Sequence, residues 1–187
     1  MNARPSSAET PTPFAVAGAV SALGWFGLGI ESIVRPDPAD FRDALVLVPW
    51  TLLSVTLLGV HLAQRARSGR AGLAGLVLIV AGAAIAITGN VGLVLGTEAL
   101  VFLSFPVGPL VFGAGLLVFG VATWRAGVFP RWVAALIGTS QVMTTGLGVA
   151  LSAWVPVSDH GSYTGGLWHG VTMLVVAARL RDDEDLG

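Results

Sequence analysis

The sequence has no cysteine, no lysine and a single tyrosine in 187 residues. Without cysteine there is no disulfide, no thiolate nucleophile and no thiolate-held iron–sulfur cluster. Without lysine there is no Schiff base, hence no retinal pigment, and no lysine-dependent phosphate loop. Charge is scarce as well: 11% of residues are Asp, Glu, Lys or Arg, against about 25% in soluble proteins. The net charge of −1 argues against a nucleic-acid partner, which would need a basic surface.

What fills the chain is apolar. Hydrophobic residues make up 54% of it and mean hydropathy is +0.80. The apolar stretches are apolar all round rather than striped at helical period, so bilayer solvent is the natural reading. The expected fold class is all-α: a polytopic membrane bundle with six transmembrane helices and both termini inside. The spans run from about Phe14 to Val34, Ala44 to Ala63, Gly72 to Leu95, Glu98 to Trp124, Trp132 to Trp154, and Leu167 to Arg179. The last reaches crossing length only if it starts near Ser162. Residues 1–13 are polar and proline-rich and read as a disordered tail, 14–180 as one membrane domain, and 181–187 as an acidic tail. A cleaved signal peptide is the rival for the first span, disfavoured by a lone upstream arginine and by Glu9.

The orientation follows from arginine. With the N-terminus inside, Arg4, Arg65, Arg67, Arg70, Arg125, Arg131, Arg179 and Arg181 are cytoplasmic. Arg35 and Arg42 lie outside, in a loop with Asp37, Asp40 and Asp43. That distribution obeys the positive-inside rule. Small residues recur four apart at Ala15/Ala19, Gly18/Ala22, Gly82/Ala86, Gly92/Gly96, Ala134/Gly138 and Gly146/Ala150, a spacing that lets helices approach closely.

The fourth span organises the rest. Pro106, Gly108 and Pro109 interrupt it, which predicts a kinked helix inside the bundle with Ser104 beside the kink. Polar side chains gather in the outer half. Glu31, Asn90, Glu98, Ser104, Gln141, Thr145 and His169 are the candidate lining of a polar cavity open to the outer face, with Thr51, Ser54 and Thr144 at similar depth. The inner half reads as a dry apolar plug, with His61 only at its edge. No metal site is expected, because His160 and His169 stand nine positions apart across a glycine-rich loop. A haem between His61 and His169 fails on depth. Ser140 has no histidine placed to activate it, and no HExxH or GxSxG occurs. No cofactor and no enzyme activity are therefore expected.

The inner loop Arg125, Gly127, Val128, Pro130, Arg131, Trp132 has the form R-x-G-hydrophobic-x-P-R-W. Here the chain resembles families of small multi-pass bacterial membrane proteins with no assigned activity. The resemblance implies a bacterial plasma-membrane location and brings no catalytic residues. Alanine- and glycine-rich composition with arginine in place of lysine resembles actinobacterial proteins. Span number and size are also similar to substrate-binding components of vitamin-uptake transporters, with Ala15/Ala19 resembling their coupling alanines. Two functions follow as expectations. The first is a non-catalytic membrane subunit or assembly component docked on a partner protein or on itself; the second is a small-solute binding or transport component.

Overall fold

The computed structural model describes residues 12–37, 39, 41–155 and 163–185. Residues 1–11 of the expected polar tail and His160 lie outside them, whereas Thr12 and Pro13 open the first helix and the expected acidic tail is helical as far as Asp185. Among the described residues the fold is all helical, without strands. The helices are α1 (Thr12–Val34), α2 (Phe41–Leu45), α3 (Leu47–Val94), α4 (Gly108–Ala126), α5 (Arg131–Leu151) and α6 (Gly166–Asp185). Four helical stretches are long and apolar enough to cross a membrane: Pro13–Val34, Phe41–Val94, Glu98–Ala126 and Arg131–Leu151.

α3 has 48 residues, about 72 Å if straight, more than twice the hydrocarbon thickness. It is not straight. Gly69 has φ 57° and ψ −154°, a conformation side chains resist, and there the chain folds back. A Cβ on Gly72 would lie 3.5 Å from Nδ1 of His61, which a continuous helix would hold about 16 Å away along its axis. The connection expected over Gln64–Arg70 thus shrinks to one glycine between two arms, 47–68 and 70–94.

Successive runs are antiparallel. Gly18 of α1 meets Thr56, and Gly24 meets Pro49. Gly75 and Gly82 of the second α3 arm press on the backbones of Phe119 and Phe112 in α4. Gly120 meets Gly138 of α5. α6 returns along α1, with Gly29 against Leu167 and Gly18 against Ala177. The ring of runs encloses a core of Trp25, Leu53, Leu57, Ile79, Phe112, Phe119 and Ile137, all buried.

The organising span differs from its expected shape. It does not run as one kinked helix from Glu98. A 3₁₀ turn (Glu98–Leu100) and a π turn (Leu103–Val107) precede α4, and the break falls at Phe105, φ −153° and ψ 127°. The residue before a proline is pushed from helical to extended geometry, so Pro106 acts on Phe105. Pro109 sits in the first turn of α4, where a missing N–H costs nothing. The turn after α4 behaves as its residues predict: Gly127, φ 63°, caps the helix, its N–H donating to the carbonyl of Thr123 at 3.2 Å, and Pro130 precedes α5.

Candidate functional site

The polar residues picked from the sequence fall into two clusters and one outlier. At the end away from the basic connections, Glu31 pairs with Arg42 Nε at 2.5 Å. Arg42 also donates to the carbonyls of Asp37, at 3.0 Å, and of Arg35. In the turn that follows α1, Arg35, Pro36, Asp37 and Phe41 are exposed, whereas Arg42 and Asp43 are buried. Arg42 is only 1% exposed because the chain wraps its guanidinium in carbonyls while Glu31 balances the charge.

Asp43, equally buried, accepts from the Tyr163 hydroxyl at 2.6 Å. Tyr163 lies just ahead of α6. The phenol O–H is the donor in this pair, since an ionised carboxylate can only accept. That hydroxyl also lies 3.3 Å from Oδ1 of Asn90, which Ser104 Oγ approaches at 3.4 Å. The Asn90 amide donates back to the carbonyl of Ala86 at 3.0 Å, and Tyr163 N–H donates to Ser32 Oγ at 3.2 Å. α1, α2, α3, the π turn and the approach to α6 thus meet in one polar rim.

The second cluster joins α5 to α6. Ser140 Oγ lies 2.8 Å from Nδ1 of His169 and 3.2 Å from Oγ1 of Thr172. Nε2 of His169 lies 3.3 Å from Oε1 of Gln141, whose amide donates to Thr145 Oγ1 at 3.2 Å. These contacts select a tautomer by inference. Nε2–H donates to Gln141, and Nδ1 accepts the Ser140 proton. Thr172 donates to the carbonyl of Trp168 at 3.0 Å. Trp25 and Phe112 cover the imidazole, with ring centroids 5.1 and 6.0 Å away.

Here the sequence reading needs correction: Ser140 does have a histidine beside it. The pair still lacks what a nucleophile requires. The group on the far imidazole nitrogen is an amide rather than a carboxylate, and a reacting carbonyl needs room about 3 Å from the hydroxyl. Ser140, His169 and Thr172 are each at most 1% exposed. The arrangement clamps two helices by mutual hydrogen bonds.

Glu98 joins neither cluster; it is exposed in its 3₁₀ turn. Thr51 and Ser54 bond back to their own helix, to Leu47 and Trp50, so they present no free donor. The dry inner plug also needs correction. Gln64, 1% exposed, donates to Thr123 Oγ1 at 2.8 Å, and Thr123 donates to the carbonyl of Phe119 at 2.9 Å. Gln64 reads as part of a basic loop because Arg65 follows it, but the first arm of α3 stays helical past it and turns it inward. The missed partners left faint signals: His169 and Thr172 share a helix face by their i, i+3 spacing, and Glu31 and Arg42 bracket a proline–aspartate turn. No protein-family model matches the chain, and no curated protein or solved structure does.

Proposed function

We propose that the chain is a non-catalytic subunit of a bacterial plasma membrane, crossing it six times with both termini inside, and that it docks on another transmembrane helix through α5. Support for six crossings comes from the two antiparallel arms of α3, about 33 and 37 Å long, and from α6, which packs between α1 and α5. Arginine distribution supports the orientation.

The docking reading rests on one observation. The small-residue pairs foreseen in the sequence are used inside the chain, except the last. Gly18, Gly82, Gly92 and Gly138 face other parts of the bundle, and Gly96, φ 67°, turns the chain. Among the described residues nothing lies within 4 Å of where a Cβ on Gly146 would sit, and Ala150, Val142 and Val149 beside it are exposed. A bare small-residue face is what a second helix needs for close approach. The solute-binding alternative draws less support, since six of its seven candidate residues spend hydrogen bonds or charge on protein groups.

Because the chain has no natural cysteine, a single cysteine at Gly146 reports on this face directly. In native membranes it is expected to cross-link to itself or to a partner in much higher yield than a cysteine at Val77, another exposed position. Equal yields at the two sites would remove the docking face.

A further inference from the structure

A second feature lies at the other end of α5. Between α4 and α5 runs a furrow of about 310 Å³, lined by Leu117, Gly120, Val121, Trp124, Ala135 and Gly138. It exists because the two helices cross at Gly120 and Gly138, where a Cβ on Gly120 would come within 2.5 Å of the Gly138 Cα. Two glycines leave no side chains to fill the outside of the crossing. From Leu117 to Trp124 the furrow follows about 10 Å of helix, roughly two-thirds of one leaflet's share of the hydrocarbon core.

The lining offers nothing to a polar ligand. The Thr139 hydroxyl at its edge donates to the carbonyl of Ala135 at 2.8 Å. The mouth is different. Trp124 is half exposed, and the Arg131 guanidinium stands 5.6 Å from its ring centroid. Arg125 follows Trp124, and Trp132 lies beneath Arg179 at 5.4 Å. Tryptophan and arginine at one level mark a membrane–water interface. Among the described residues neither Arg125 nor Arg131 forms an ion pair.

We infer that this furrow binds one acyl chain of an anionic phospholipid whose headgroup sits on Arg131 and Arg125. Apolar groove and arginine-bearing mouth match the two ends of such a lipid, and attraction of basic residues to anionic headgroups is strong at this level. A helix of a second copy is the competing occupant. It would cover Arg131 with apolar surface and leave the charge unpaired, which bilayers penalise. The inference rests on the membrane-embedded reading but not on the α5 docking face, which lies toward the opposite end.

The test is native mass spectrometry of the full chain released from bilayer discs of equal phosphatidylglycerol and phosphatidylcholine. The wild type is expected to retain phosphatidylglycerol over phosphatidylcholine on the order of tenfold. Arg125→Gln with Arg131→Gln should bring the ratio close to one, whereas Arg67→Gln, an exposed arginine of another connection, should leave it unchanged. Ala135→Phe, which fills the furrow from an exposed position, should lower retention of both lipids. Equal retention by the wild type would overturn the inference, as would a preference that survives the double arginine variant. So would unchanged adducts in Ala135→Phe, or an Ala135→Phe chain that loses a dimer and keeps its lipid. A chain that stays in water without discs or detergent would overturn the membrane reading itself, a different failure from inserted protein with no lipid preference.

Discussion

The seam between the second arm of α3 and α4 and the seam between α5 and α6 solve the same problem by opposite means. Along the first, glycine supplies closeness. Gly75, Gly82, Gly89, Gly108 and Gly115 each stand where a Cβ would overlap the facing helix, usually its backbone. Along the second, Ser140, His169, Thr172 and Gln141 supply hydrogen bonds. In a bilayer neither seam would gain from burying apolar surface, because lipid tails are as apolar as leucine. Close packing gains dispersion over many atoms and tolerates no added volume. A hydrogen-bonded seam depends on a few atoms and tolerates volume better than loss of a partner. The polar rim around Arg42 is the extreme of the second kind.

The largest effect is expected where the polar strategy carries a full charge. Glu31→Ala leaves the Arg42 guanidinium, 1% exposed, with carbonyl partners only. Orphaning a buried charge costs about 3–5 kcal/mol, and the 25% exposure of the Glu31 side chain places this case toward the lower end. Unfolding by steric trapping in bilayer discs measures it directly. The double variant Glu31→Ala with Arg42→Leu should recover most of the loss. A single variant as stable as the wild type would show that the rim does not hold the bundle.

Glycine gives the second contrast. Gly115→Ala sets a Cβ about 2.5 Å from the Ile79 backbone nitrogen, and forced overpacking of this kind costs about 1–3 kcal/mol. Gly27→Ala meets nothing within 4 Å among the described residues and should be neutral or slightly stabilising, as helix propensity favours alanine. Equal responses at both sites would mean that proximity does not set the α3–α4 seam.

The two strategies also differ in how far the sequence displays them. Apolar runs, the arginine-bearing connections and the Gly127–Pro130 turn are legible because each rests on local chemistry. The break within α3 is legible as a connection over Gln64–Arg70, but its confinement to Gly69 is not. One glycine among 25 carries no mark of a positive φ until the arms have partners. The candidate cavity residues are legible as polar groups that apolar surroundings must satisfy, and Asn90 and His169 are indeed buried. Which atoms satisfy them depends on how each helix is rotated about its axis. Helices apolar on every side present no polar stripe to fix that rotation. So Ser140 reads as inert, Gln64 reads as loop, and Glu98 groups with residues it never meets. Pro109 reads as a kink because a proline's effect depends on whether a helix has already begun.

The smallest expected effect sharpens the polar side of the comparison. Ser140→Ala removes the hydroxyl from His169 Nδ1 and leaves a buried acceptor without a donor. Interhelical hydrogen bonds of membrane proteins average about 0.6 kcal/mol and reach about 1.7, so a loss in that range is expected from steric-trap unfolding. His169→Leu should cost about as much, by stranding the Ser140 hydroxyl and disturbing the contacts with Trp25 and Phe112. The double variant carries the discriminating information. If the seam is one mutual bond, each single change already loses it and strands the partner, so the double variant should be no worse than the poorer single. If Ser140 instead acts through Thr172, at 3.2 Å, the two losses should add, and Thr172→Val should lower stability as much as Ser140→Ala does. Additive losses would end the Ser140–His169 clamp as the account of this seam and leave α6 held chiefly by its glycine contacts with α1.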